Sequence, residues 1–218
     1  MTLSTPHVVR VGKATMTAPN SVELLHSEYA QLHRQHPATL TPEQRRSLAF
    51  FTAELAAPGA AVMTGDVPRD VADWLRSLSA LESFVRREGR QPRENRRLPA
   101  AVISTEEKHC VNLVRAQRRA YAAGRLCSYQ ERRLLCIPGF TFHPLEDAWQ
   151  ANRDAYARFT TAQGDAPKLR SSNGEERALA RWAAKTRLAY RVGRLAQSRI
   201  DSVNGIDFWA WGAPHRRD

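Results

Sequence analysis

Arginine is the residue type through which this chain could do chemistry. Its 218 residues hold 33 Lys and Arg against 22 Asp and Glu, a formal net charge of +11. Only Lys13, Lys108, Lys168 and Lys185 among those bases are lysine. The planar guanidinium fork suits phosphate oxygens and base edges better than an ammonium point charge does. Other chemistries lack their groups. His33-x-x-His36 and the His109-Cys110 pair have no further ligands at zinc-site spacing, so no metal is expected. No Ser-His-Asp or Cys-His setting supplies a nucleophile, and no carboxylate pair stands in an apolar context, so neither an enzyme nor a cofactor is expected. Cys110, Cys127 and Cys136 form no C-x-x-C pair and fit a reducing interior rather than a disulfide framework. No apolar run approaches the ~18 residues of a membrane span. The first 19 residues also lack a signal peptide's apolar core, so no membrane role is expected and a cytoplasmic location is.

The charge is unevenly placed. Residues 1–68 hold five basic and five acidic groups; residues 69–143 hold 15 and 8, and residues 144–218 hold 13 and 9. The whole excess lies in the last two thirds, together with all five tryptophans, Trp74, Trp149, Trp182, Trp209 and Trp211.

Those two segments are copies of each other. Trp74, Phe84, Gly89 and Pro92 return 75 residues later as Trp149, Phe159, Gly164 and Pro167. Beyond them the offset is 69. Glu106-Glu107 matches Glu175-Glu176, Arg118 matches Arg187, Ala120-Tyr121-x-x-Gly124-Arg125-Leu126 matches Ala189-Tyr190-x-x-Gly193-Arg194-Leu195, and Phe140/Phe142 match Trp209/Trp211. Six extra residues in the loop 93–105 account for the change of offset. Repeats at fixed period signal one supersecondary unit used twice.

The units that position the arginines read as helices. Val71, Trp74, Leu75, Leu78, Leu81, Phe84 and Val85 recur at three- and four-residue spacing and form one apolar stripe. A second helix is expected over 105–122, ended by Gly124, and a short third with Ser128 and Glu131 as its capping box. The second copy repeats this over 147–164, 174–192 and 197–203. Helices are also expected over 21–33 and 41–56, the latter opened by Thr41-Pro42. An echo of Leu126/Leu134 in Leu40/Leu48 leaves open a decayed third repeat. The expectation is an all-α chain with a flexible start (1–19), a helical N-terminal segment and linker (20–67), two tandem three-helix modules (68–143 and 144–212) and a tail (213–218).

With these residues in place, the repeats resemble the helicase-associated domain of actinobacterial proteins, a three-helix module akin to helix-turn-helix and Myb-like bundles. That family runs from a Trp-Phe first helix through G-x-x-P, paired glutamates and L-x-x-W-x-x-x-Q-R to G-[KR]-L and a closing G-[FW]. The second copy supplies Leu179-x-x-Trp182-x-x-x-Thr186-Arg187 and the first Cys110-x-x-Leu113-x-x-x-Gln117-Arg118. Gly139-Phe140 retains the ending, whereas Asn204-Gly205 and Phe208-Trp209 look differently arranged. The resemblance covers about residues 70–212 and implies double-stranded DNA binding. No G-x-x-x-x-G-K-[ST] loop is present, so no unwinding motor is expected in this chain.

If Cys110, Leu113, Val114, Gln117 and Tyr121 face inward, then Arg115, Arg118 and Arg119 face outward, with Arg125 in the following turn. The third helix then presents Ser128, Tyr129, Arg132 and Arg133. The matching set in the second copy is Arg181, Lys185, Arg187, Arg191 and Arg194, with Gln197, Ser198, Arg199 and Ser202 on its third helix. Such helices reach base edges while flanking arginines hold phosphates. Six to ten phosphate contacts would cost ~10³–10⁵ in affinity between low and moderate salt. The Arg118/Arg187 pair has a second reading, a cap on a carbonyl inside each module. The tryptophans read as core, and Tyr129 as the aromatic nearest DNA. Residues 20–67 are left for self-association or a protein partner, and a docking role toward a helicase or other enzyme is the alternative to DNA binding.

Overall fold

A computed structural model describes residues 21–56, 67–93 and 103–212. The expected flexible start and tail, most of the 56–67 linker and most of the longer 93–105 loop lie outside the described residues. The elements among the described residues are all helices, with no strand. In chain order they form α1 (Val22–His33), a 3-10 turn (Pro37–Thr39), α2 (Pro42–Ala56), α3 (Arg69–Glu88), α4 (Thr105–Ala122), α5 (Ser128–Leu135), α6 (Pro144–Gln163), α7 (Gly174–Arg191) and α8 (Gln197–Asn204). The chain divides into two compact units, Met1–Phe142 and His143–Asp218.

Helix bounds recur at the spacing the repeat sets. The 20-residue helices α3 and α6 begin 75 residues apart, the 18-residue α4 and α7 begin 69 apart, and the eight-residue α5 and α8 also begin 69 apart. Polar caps fix the starts: Ser104 Oγ accepts the Glu107 amide at α4, and Asn173 Oδ1 accepts the Glu175 amide at α7. α3 and α6 both stop at a glycine in the left-handed region, Gly89 and Gly164. The loop that follows each is then pinned to the next helix by the second glutamate of the pair. Glu107 Oε1 accepts from the Arg93 amide at 2.8 Å, and Glu176 Oε1 from the Lys168 amide at 2.9 Å.

In the first unit one core joins all five helices. α3 buries Val71, Trp74, Leu78, Leu81, Phe84 and Val85, each adding roughly 1.5–3 kcal/mol by leaving water. α1 and α2 add Leu25, Tyr29, Leu48, Phe50 and Phe51, and α5 adds Tyr129 and Leu134. Most apolar side chains of the two N-terminal helices are thus used within the unit, while Leu24 and Leu55 stay exposed. α5 itself starts one residue off the expected register. Its cap is Cys127, whose amide donates to Gln130 Oε1 at 3.1 Å, rather than Ser128 with Glu131, because the Ser128 amide is held by Glu43 of α2. The same reciprocal cap opens α2, where the Thr41 amide donates to Gln44 Oε1 and the Gln44 amide to Thr41 Oγ1.

The second unit is built on rings. Trp149 and Trp182 have centroids 5.2 Å apart, Tyr156 and Trp209 5.1 Å, and Trp182 and Trp209 5.7 Å. These tryptophans are core. The indole's polar contact differs between the copies. Trp74 Nε1 donates to Gln117 Oε1 at 3.2 Å, but Thr186 stands where Gln117 would be and the buried Trp149 Nε1 has no partner. Gln117→Thr in the first unit should therefore leave the Trp74 indole unpaired and cost about 1–2 kcal/mol, read as a lower urea midpoint at unchanged slope.

Candidate nucleic-acid interface

The residues expected to meet DNA fall into three groups. The first is locked into the fold. Arg118 Nε donates to the Thr141 carbonyl at 2.9 Å while its guanidinium lies 5.9 Å from the Phe140 ring centre. Arg187 does the same one copy on: its Nε donates to the Ala210 carbonyl at 2.5 Å, with the guanidinium 4.9 Å from the Trp209 ring. Thr141 and Ala210 are equivalent positions. Of the two readings open to this pair, the structure has the carbonyl cap. A second ring pair recurs in each copy, Tyr121 stacked on Phe142 with centroids 4.0 Å apart and Tyr190 tilted against Trp211 at 4.2 Å.

The second group is held by carboxylates. Tyr129 is 0% and Arg133 4% exposed, so neither meets DNA. Both face the N-terminal helices. The Tyr129 hydroxyl donates to Glu54 Oε2 at 2.8 Å and lies 3.0 Å from His26 Nε2. Arg133 Nε donates to Glu54 Oε1 at 2.8 Å, and its Nη1 forms an ion pair of 2.7 Å with Glu82. Burial, reinforced by the Glu54 charge, pushes the Tyr129 hydroxyl well above the ordinary tyrosine range. Burial opposes the charge on Arg133, but Glu82 and Glu54 more than offset it, so the guanidinium keeps its proton more firmly than a free one. Arg132 pairs with Glu28 at 2.5 Å. Ser128 places its amide on Glu43 Oε1 at 2.7 Å, and Tyr129 its amide on Ser47 Oγ at 3.2 Å. Burial raises the Glu43 carboxyl, yet the Ser128 amide and the Ser128 and Ser47 hydroxyls bring it below its usual value. The expectation that α5 presents Tyr129, Arg132 and Arg133 to DNA is corrected accordingly. Its polar surface is the seat of α1 and α2, whose carboxylates the sequence places 75 to 104 residues away. In the second unit Arg199 is also engaged, donating to Glu146 at 2.8 Å and lying 4.7 Å from the Trp149 ring centre, and Ser202 Oγ turns back onto the Arg199 carbonyl.

The third group is open. Arg119 and Arg125 in the first unit, and Arg181, Lys185, Arg191 and Arg194 in the second, are exposed, and none of these six has a carboxylate partner among the described residues. Arg115 is half-buried. Gln197 and Ser198 are exposed at the start of α8, where Gln197 Nε2 donates to Asp201. Ala196 precedes that helix and offers no side-chain cap. Among the described residues no cluster of His, Cys, Asp and Glu could hold a metal, and no helix is long and apolar enough to cross a membrane. No protein-family model, no curated protein and no solved structure matches the chain.

Sequence reasoning missed Glu28, Glu43 and Glu54 as partners of α5, since nothing in the spacing of a neutral segment says where its carboxylates point. Arg133→Ala should destabilise the first unit by about 3–5 kcal/mol, because it leaves Glu54 and Glu82 without a counter-charge in a nearly dry site. Thermal unfolding of the purified variant measures this loss.

Proposed function

We propose that this protein is a non-enzymatic binder of double-stranded DNA, built from two tandem helicase-associated-like three-helix modules of which the second makes the contact. One contrast carries the reading. At α5 the amides of Ser128 and Tyr129 go to Glu43 and Ser47, and Arg132 goes to Glu28. At α8, the equivalent helix, no side chain caps the start, and Arg194 just before it has no carboxylate partner among the described residues. Free amides at a helix start and the positive end of its dipole attract phosphate.

In this reading α7 and α8 act as a helix-turn-helix pair joined by residues 192–196. The first turn of α8 enters the major groove, with Gln197 and Ser198 as the side chains able to read base edges. Arg181, Lys185 and Arg194 hold phosphates on either side. Asp201 stands where α5 has Arg132 and repels phosphate, which confines the contact to the N-terminal half of α8. The first module serves as a supporting body, and Arg119 and Arg125 add general attraction. The role that follows is regulation of transcription or maintenance of a genome.

About three phosphate contacts imply a slope of log affinity against log salt of roughly −3, shallower than six to ten contacts would give. A gel-shift series on random and genomic duplexes across salt tests this. Replacing Arg181, Lys185 and Arg194 together by alanine should weaken binding about ten- to thirtyfold on every sequence and flatten the slope by about three. Arg132→Ala should leave affinity unchanged. Unaltered binding by the triple variant, or no retardation at low salt, rejects the reading.

A further inference from the structure

The second unit contains a cleft of about 620 Å³ that the DNA reading does not use. Pro167, Leu169, Ala180, Ala184, Phe208 and Trp211 form its apolar lining, and Lys168, Arg170, Arg187 and Arg191 its cationic rim. Its size lies within the ~300–1,000 Å³ typical of ligand pockets.

The first copy shows how the cleft arises. There Gln91 stands at the position of Ala166 and folds across, its Nε2 donating to the Pro138 carbonyl at 2.7 Å. Val111 and Arg115 stand at the positions of Ala180 and Ala184. Three larger side chains in the first copy become alanine in the second. The turn at the cleft edge changes in the opposite sense. In the first copy the Phe140 amide donates to the Ile137 carbonyl around Pro138-Gly139, with Gly139 at φ +71°. In the second the Trp209 amide donates to Ile206 around Asp207-Phe208, with Phe208 at φ +60°. The two endings that look differently arranged in sequence are the same turn, with phenylalanine in the glycine position. Among the described residues Phe208 alone is a non-glycine at positive φ, a conformation that costs free energy for a side chain with a Cβ. Burial does not compensate, because Phe208 is 53% exposed and Leu169, beside it in the lining, 57%.

We infer that this cleft is a docking site for an acidic peptide segment carrying one or two large apolar side chains. Two polar groups of the cleft are already satisfied, Arg187 Nε by the Ala210 carbonyl and Trp211 Nε1 by Asn204 Oδ1 at 2.7 Å. A nucleobase would bury its edge atoms there without partners, whereas a leucine or phenylalanine side chain loses nothing. The rim sets the sign of the flanking charge. Lys168 is tied to Asp165 at 2.8 Å, but Arg170 and Arg191 are exposed with no carboxylate partner among the described residues. Aspartates and glutamates on either side of an apolar anchor complement them.

The test uses the full chain and fluorescence anisotropy with a labelled synthetic peptide, Leu-x-x-Phe between runs of glutamate. Binding is expected to weaken with salt and to be lost when lysines replace the glutamates or serines replace the Leu and Phe. Ala184→Trp, which fills the cleft from an exposed position, should abolish it, and Arg170→Glu should weaken it about fivefold and reduce its salt dependence. Phe208→Gly should raise the melting temperature, by relieving the turn, while weakening the peptide about tenfold; that opposite pair of effects separates lost function from lost folding. The Arg181, Lys185 and Arg194 triple variant should bind the peptide normally, so this test stands apart from that of DNA binding. Equal affinity for the serine peptide overturns the inference, as does a single-stranded oligothymidine that competes for the site. Self-association of the chain that Ala184→Trp removes overturns it too, by making a second copy the occupant.

Discussion

Three carboxylates from the neutral end of the chain, Glu28, Glu43 and Glu54, decide which of its arginines remain available. Glu54 meets the Tyr129 hydroxyl and the Arg133 Nε with its two oxygens, Glu43 takes the first amide of α5, and Glu28 takes Arg132. A guanidinium is tolerated in so dry a place because its charge is paired on two sides, Glu54 accepting from its Nε and Glu82 facing its Nη1 at 2.7 Å. α5, which in sequence looks like a recognition helix, is in the structure the inner seat of α1 and α2. Since α8 has the same length and position in its own unit without these partners, the fold leaves one short helix closed and the other open.

The two copies act as internal controls for each other. Arg118 and Arg187 are kept at equivalent positions, and both hold a carbonyl while covering a ring. A hydrogen bond from a charged donor contributes roughly 1.5–3 kcal/mol and a cation–π contact about 0.5–2, enough to explain why each unit uses an arginine there. By contrast Arg181, Lys185 and Arg191 stand where the first copy has Asn112, Ala116 and Ala122. The Arg118/Arg187 pair common to the copies serves the fold, the Arg125/Arg194 pair, also common, stays exposed in both, and Arg181, Lys185 and Arg191 are cations that only the second copy adds to its surface.

Helices were legible because their evidence is local. Apolar spacing in 71–85, the Thr41-Pro42 start and the glycine stops mark elements that the structure forms within a few residues of the expected bounds. The repeat offsets placed Glu107 with Glu176 and Arg118 with Arg187, which the hydrogen bonds bear out as equivalent. What stayed hidden depends on contacts between distant segments. Periodicity tells that Arg133 and Tyr129 lie on α5 but not that a helix 75 residues earlier supplies Glu54. It also assigns a phenylalanine no backbone angle, so in sequence Phe208 reads as a departure from the G-[FW] ending rather than as the same turn under strain. Aligning Phe208 with Gly139 at the 69-residue offset was the available signal.

On α7 the two proposed surfaces occupy adjoining faces. Ala180, Ala184, Arg187 and Arg191 follow one another at four-, three- and four-residue steps along the cleft, while Arg181 and Lys185 lie one position later, about 100° around the helix. An acidic peptide and a DNA phosphate would then sit on one helix without competing for the same side chains. They still share a field: two anions within about one Debye length repel each other through solvent, and that repulsion fades as salt rises. The two ligands should therefore oppose each other at low ionic strength and become independent at high, a pattern that direct overlap of the sites would not produce.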